Sequence, residues 1–475
     1  MTLLAVFADD FTGALDAGIQ FTKAGFSTDI LLWTEYADLK ESQAAALSDV
    51  IVIDTESRHL ESAEAFNRLL KLAKLALSQG TSYFYKKTDS TLRGQTGAEM
   101  QAMMLGIGQH QVHFTPAYPD MNRLTIKGVQ YVDGKQLAQS PYANDPLNPV
   151  TSSYIPEILA VQGLNTVKLA TLAHTNQTGA DLTGAVTIHH ETAAVGQTGP
   201  CQSENTMVYL YNASSRDDLE AISLYLKNSQ KLRLTAGCAG FAEFLAKRLQ
   251  EIALETEGRE NQNRFKDCRS DCEPGMKVPG HTKQSKTAGR LRQHAGSHGA
   301  VLLLCGSANQ SSLRQLEIFA EGKPKTTFHV LSRKEKHPAY WSSVTGRKQL
   351  SDIKQTLRQE GLYVIQTVRK REELDETIRA DDTAGSLGTL AANLTAQMPD
   401  LNLIVFGGDT VYALMSALRG SALHPLDEIS PGVVSSCLQF GTSARLMVTK
   451  AGGLGDDKVI EKILAYMATA DRPEV

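Results

Sequence analysis

Near its start the chain carries an apolar run, Leu3 to Ala8, that stops at two adjacent carboxylates, Asp9 and Asp10. A Thr-Gly pair, Thr12-Gly13, then opens a pattern with helical spacing. Few features restrict a fold more. A short run that is wholly apolar fits a strand buried on both faces. Polar groups at the carboxyl end of such a strand lie where open α/β sheets bind ligands. Two acids there add nothing to a core, so they serve a polar ligand, a metal or a proton. The alternative is purely structural: Asp10 or Thr12 N-caps the next helix.

The same alternation continues. Strand-like runs at Thr28–Trp33, Val50–Asp54, Tyr83–Lys87, Gln111–Thr115 and Met207–Tyr211 separate helix-like stretches at Thr12–Ala24, Leu60–Leu77, Asp217–Leu226 and Phe241–Leu249. This predicts an α/β fold whose mainly parallel sheet is covered by helices. From Thr256 to Gly299 the pattern lapses. That stretch is polar, and its nine Lys/Arg are interleaved with five Asp/Glu, which argues against a basic arm for nucleic acid. It reads as a linker or insertion. A second α/β pattern follows, with strand-like runs at Val301–Cys305, Phe328–Leu331, Leu362–Ile365 and Leu403–Phe406 and a helix-like run at Thr383–Gln397. The expected division is 1–255, 256–299 and 300–475, two α/β domains with an active-site cleft between them.

Length supports two domains, since 475 residues exceed one ordinary core. Hydrophobic residues at 42% and charged residues at 21% describe a globular protein. A net charge of -4 leaves no electrostatic footprint for nucleic acid. No stretch is apolar enough to span a bilayer, and no signal peptide opens the chain, so a cytoplasmic enzyme without a membrane partner is expected. The six cysteines are too scattered for a disulfide framework. Cys268, Cys272 and His281 are too loosely spaced for a zinc site.

Chemistry concentrates at strand ends. In the second half, Phe406-Gly407-Gly408-Asp409-Thr410 joins a strand to a helix, where backbone N–H groups and the helix dipole favour an anion. Asp409 beside such a site suits the orientation or deprotonation of an attacking hydroxyl in phosphoryl transfer, unless it is only the helix cap. Lys450-Ala451-Gly452-Gly453-Leu454-Gly455 is a second turn of this kind, Gly306-Ser307 a third, and Pro431-Gly432 marks another. None is a Walker A or a dinucleotide fingerprint. Together they point to a nucleotide polyphosphate. In the first half, Lys86-Lys87-Thr88-Asp89-Ser90-Thr91-Leu92-Arg93-Gly94 packs cations, an acid and hydroxyls into one turn. Lys87 or Arg93 suits a carboxylate, and Asp89 with Thr88 and Ser90 suits sugar-like hydroxyls. Arg58, Asp9 and Asp10 complete that candidate set, and Pro116–Arg123 is a rigid polar loop expected to shape the same cleft.

On these residues the chain resembles the four-carbon acid sugar kinases. Ala8 to Ala14 matches their Ala-Asp-Asp-x-Thr-Gly-Ala signature, and Lys87 to Gly94 their Lys-x-Asp-Ser-Thr-Leu-Arg-Gly signature. Gly306-Ser307, Gly407 to Thr410, Pro431-Gly432 and Lys450 to Gly455 follow in the family's order. The resemblance implies an ATP-dependent kinase that phosphorylates the terminal 4-hydroxyl of threonate, erythronate or a 3-oxo-tetronate. The first domain would bind the acid through Asp9, Asp10, Arg58, Lys86, Lys87, Thr88, Asp89, Ser90 and Arg93. The second would bind ATP, with Mg²⁺ arriving alongside, through Ser307, Gly407, Gly408, Asp409, Thr410, Gly432, Lys450, Gly452, Gly453 and Gly455, and Asp409 would be catalytic. Two departures stand out: the connection between domains is long, and Cys238 takes the place of a serine in Ala236–Phe241. Two other functions compete, a non-catalytic two-lobed binding protein for acid sugars and a metal-dependent hydrolase built on Asp9 and Asp10.

Overall fold

The computed structural model describes residues 2–38, 48–145, 148–172, 186–192, 206–267, 299–323, 326–375, 377–419, 421–441 and 443–469. The alternation read from the sequence becomes strands β1 (Leu4–Ala8), β2 (Thr28–Leu32), β3 (Val50–Asp54), β4 (Tyr83–Lys87) and β5 (Gln111–Thr115). A three-stranded antiparallel sheet follows, β6 (Arg123–Ile126), β7 (Val129–Val132) and β8 (Lys135–Gln136). The first half closes with β9 (Thr166–Leu172), β10 (Val186–Thr192), β11 (Met207–Tyr211) and β12 (Leu234–Gly237). The second half comprises β13 (Val301–Cys305), β14 (Thr327–Val330), β15 (Leu362–Gln366), β16 (Asn402–Phe406), β17 (Ala422–Ser430), β18 (Val433–Phe440) and β19 (Ser443–Lys450).

Sixteen of these strands form one sheet in the order β10-β9-β11-β5-β12-β4-β1-β3-β2-β17-β18-β19-β16-β13-β15-β14. Two separate sheets were the expectation. Instead β2 and β17 pair at Ile30 and Leu423 and carry the sheet across both halves. The sheet is mainly parallel. The β17–β18–β19 meander, its junction with β2, and β10 on β9 are antiparallel. Helices cover both faces, so β1, β2 and β3 are buried at every residue.

Each half has a point where the chain changes direction across its sheet beside its first strand. From β1 the chain crosses to β2 and β3, then returns to β4 on the other side of β1. From β13 it crosses to β14 and β15, then returns to β16. Such switch points open a crevice at the strands' carboxyl ends. Register puts Ala8 beside Lys87 at the first and Cys305 beside Phe406 at the second. The parallel strands of the two halves run in opposite directions along the sheet. Seven strand steps separate β1 from β13. At roughly -20 to -25° per step, twist turns the second half by on the order of 150°. Both sets of carboxyl ends then point the same way.

The helix expected at Phe241–Leu249 begins at Ala239 and runs to Asp267, twelve residues into the stretch assigned by composition to a linker. Its Glu, Gln, Arg and Lys are good helix formers even without an apolar face. The rest of that stretch, 268–298, and with it the Cys268–Cys272–His281 reading, lies outside the described residues. Among the described residues no helix is long and apolar enough to cross a membrane.

Candidate active site

A cavity of ≈ 1130 Å³ lies between the two switch points and is lined by residues of both halves. Asp10 follows β1 by two residues and caps the helix Phe11–Lys23, its Oδ1 accepting from Gly13 N at 2.8 Å. The capping alternative is therefore true of Asp10, and the same carboxylate also lines the cavity. Its Oδ2 accepts from Thr12 Oγ1 (2.8 Å) and Arg58 Nη1 (2.5 Å). Arg58 Nε donates to Asp9 Oδ2 at 2.7 Å, and Asp9 Oδ1 is buried with no hydrogen-bond partner among the described residues. Burial raises the Asp10 pKa, but Arg58 and Lys87 outweigh it and hold the carboxyl below its usual value.

From β4 the alternation of side chains sends Lys86 and Lys87 to opposite faces. Lys87 lines the cavity. A Cβ on Gly13 would lie 3.0 Å from its Nζ, which among the described residues donates only to Thr88 O at 3.0 Å. Lys86 is fully buried away from the cavity, paired with Glu99 at 3.0 Å. Asp89 and Arg93 line the cavity and hold each other, with Arg93 Nε donating to Asp89 Oδ2 at 2.8 Å and Nη1 to Asp145 Oδ2 at 3.1 Å. Despite its burial, Arg93 and Arg58 keep the Asp89 carboxyl far below the usual carboxylate range. Ser90 also lines the cavity, while Thr88 is buried off it, its Oγ1 without a partner among the described residues.

On the facing wall three glycine turns meet. Gly306 follows β13 so closely that a Cβ there would lie 1.9 Å from Thr410 Oγ1. Gly407 has φ +105° and is the cap of the helix Gly408–Ala417, without a side-chain cap bond. Asp409 is therefore not the cap. It is exposed to the cavity, and among the described residues its carboxylate makes no hydrogen bond or ion pair; partial desolvation between the two walls raises its pKa, with His59 opposing and Asp10 adding to the rise. Gly452, Gly453, Ser307 and Gly432 line the same wall. The halves touch here: a Cβ on Gly408 would lie 3.2 Å from Thr12 Cγ2.

Besides Asp9, Lys86 and Thr88, two candidates of the sequence reading in the second half lie off the cavity, Gly455 and Lys450. Gly455 follows the turn and its carbonyl accepts from Gln315 Nε2 at 2.8 Å. Lys450 is fully buried. Its Nζ donates to Ser312 Oγ and to the carbonyls of Ala451, Gly452 and Leu454 at 2.9–3.1 Å. Burial lowers its pKa to about 8. Conversely, Asp16, Tyr142 and Lys336 line the cavity without having been singled out, whereas Tyr118, Met121 and Arg123 come from the Pro116–Arg123 loop expected to shape the cleft. Asp16 had a findable signal: it lies on the face of the first helix one turn beyond Thr12. Lys336 sits in a turn that carries no motif. Cys238, flagged by its departure from the family pattern, lines the cavity and donates to Ala117 O at 3.2 Å.

Among the described residues no group of three or more His, Cys, Asp or Glu is arranged to hold a metal ion. The arrangement can hold an anionic polyol on one wall and a phosphate chain on the other, with the Asp409 carboxyl between them. Residues 4–245 match the family model of a sugar-binding N-terminal domain, and residues 302–460 that of a nucleotide-binding C-terminal domain. A D-threonate kinase of Bordetella bronchiseptica is 25% identical over 99% of this chain and 98% of its own. A 3-oxo-tetronate kinase of Actinobacillus succinogenes is 22% identical over 97% of this chain and 98% of its own. A solved protein of Salmonella typhimurium LT2, 20% identical, superposes with a TM-score of 0.69 over 98% of both chains. A sugar-binding half facing a nucleotide-binding half across one cavity defines an ATP-dependent small-molecule kinase. More narrowly, the chain belongs to the family of four-carbon acid sugar kinases.

Proposed function

We propose that the protein transfers the γ-phosphoryl group of ATP to the terminal 4-hydroxyl of a four-carbon acid sugar such as threonate, erythronate or a 3-oxo-tetronate. The observation that carries this is a single cavity lined by Lys87, Asp89, Ser90 and Arg93 on one wall and by Gly306, Gly407, Gly408 and Gly452 on the other. Lys87 and Arg93 would grip the acid's carboxylate, and Asp89 with Ser90 its hydroxyls. Backbone N–H groups of the glycine turns would cradle the phosphates. Mg²⁺ would arrive on the nucleotide's phosphates and neutralise charge there. Asp409 would take the proton as the hydroxyl oxygen bonds to the γ-phosphorus and the bond to the β-phosphate oxygen breaks, releasing ADP. ATP as donor fits a cytoplasmic site of action.

The test is ADP release by the whole chain with D-threonate, D-erythronate and 3-oxo-tetronate, followed by ³¹P NMR of the product. Acid-dependent ADP release with phosphorus coupled to the C4 protons is expected. Tight binding of an acid without turnover would turn the reading to a binding protein. Turnover that needs a metal but no ATP would turn it to a hydrolase.

A further inference from the structure

The nucleotide wall poses a charge problem. ATP carries several negative charges, yet Lys450, the lysine of the glycine turn, is buried and spends its ammonium on carbonyls. Among the described residues of the second half that line the cavity, Lys336 alone is cationic. It is 8% exposed, and its ammonium makes no hydrogen bond or ion pair with any described residue. Its charge is felt by Asp375, which Arg333 already pairs at 3.3 Å.

The turn that carries Lys336 is held firmly. Lys336 N donates to Ser332 O at 3.2 Å. The neighbouring Glu335 carboxylate accepts from Ser332 N (2.6 Å) and lies 2.9 Å from His329 Nε2. The Glu335 carbonyl accepts from Ser386 Oγ, itself held by Trp341 Nε1 at 2.7 Å. A buried lysine on a fixed turn, opening into a cavity where the acid that feels its charge, Asp375, is already paired by Arg333, is an anion site prepared in advance.

We infer that Lys336 is the cation that binds the phosphate chain of the nucleotide, the role that the glycine-turn motif alone would give to Lys450. The inference rests on the kinase reading above. Calorimetric titration of the whole chain with ADP and with adenosine separates the possibilities. Lys336→Met is expected to weaken ADP by about ten- to a hundredfold, the usual effect of losing a charge-assisted contact, while adenosine affinity and melting temperature hold. Lys336→Gln, which keeps a polar head group, gives the same readout should the methionine variant fail to fold. ADP affinity within about threefold of wild type would overturn the inference and leave the kinase reading standing. Equal losses for ADP and adenosine would overturn it as well, because the side chain would then serve the nucleoside or the fold. No ADP binding by the wild-type chain would overturn both.

Discussion

Asp409 sits on the first turn of its helix without capping it, exposed to the cavity and near enough to Asp10 and His59 to feel their charges. If it accepts the hydroxyl proton, Asp409→Asn should lower kcat by about a hundredfold or more while ADP affinity stays within about tenfold. Steady-state kinetics and calorimetry check this, and wild-type turnover would remove the carboxylate from proton transfer. Asp16 gives a pH signature. Burial raises its pKa from 3.8 to about 6. Between those values the folded chain binds more protons than the unfolded one, so this group costs stability as pH rises through the window. Asp16→Asn removes that cost. Its melting temperature relative to wild type should climb from about pH 4 to about pH 7, and a flat difference would contradict the assignment. Residue identities could be read from the sequence better than orientations. Lys86 and Lys87 look equivalent as text. One step of strand alternation separates a core ion pair from a cavity cation. Lys450 reads as a phosphate ligand because glycines follow it, and the turn consumes its charge.

Elements were legible where a short apolar run ended in a polar turn, because burial on both faces leaves no other pattern. β1, β4, β13 and β16 are of this kind, and all four end at the cavity. The small sheet β6–β8 was not legible. Its strands are two to four residues long, too short for an alternation to stand out, yet it follows directly from the loop that brings Tyr118, Met121 and Arg123 to the cavity. The meander β17–β19 was half legible: Pro431-Gly432 marked its first turn, and nothing local marked its antiparallel course. Close approach of elements also yields a prediction. Gly306→Ala would drive a methyl into Thr410 Oγ1 and push β13's turn away from the helix Gly408–Ala417. ADP affinity should fall by about tenfold or more, with the KM for the acid little changed, since the displaced N–H groups belong to the phosphate wall. Unaltered ADP binding would mean that the two turns do not share one ligand.

At the scale of the whole molecule, the polar stretch after Asp267 can be tested by replacement. Its composition offers no apolar face to bury, and the closure entropy of a flexible connection changes by only about 0.6 kcal/mol per doubling of length. Exchanging 268–298 for a shorter Gly/Ser linker should leave the melting temperature and turnover nearly unchanged. A large drop in melting temperature would show that the stretch packs, and lost turnover alone that it serves the cavity. Sequence could divide the chain into two α/β patterns but could not show them joined, because one pairing between Ile30 and Leu423 leaves no periodic trace. That seam has a consequence for how such a gene can change. A strand at the rim of a sheet offers its unpaired backbone to any passing strand. In the intact chain β2 and β17 shield each other. Cut between the halves, the gene would yield two fragments, each with a bare rim inviting aggregation or exchange between copies. The two specificities are therefore inherited together, and a new acid must be accommodated by changes around the cavity rather than by trading one half for another.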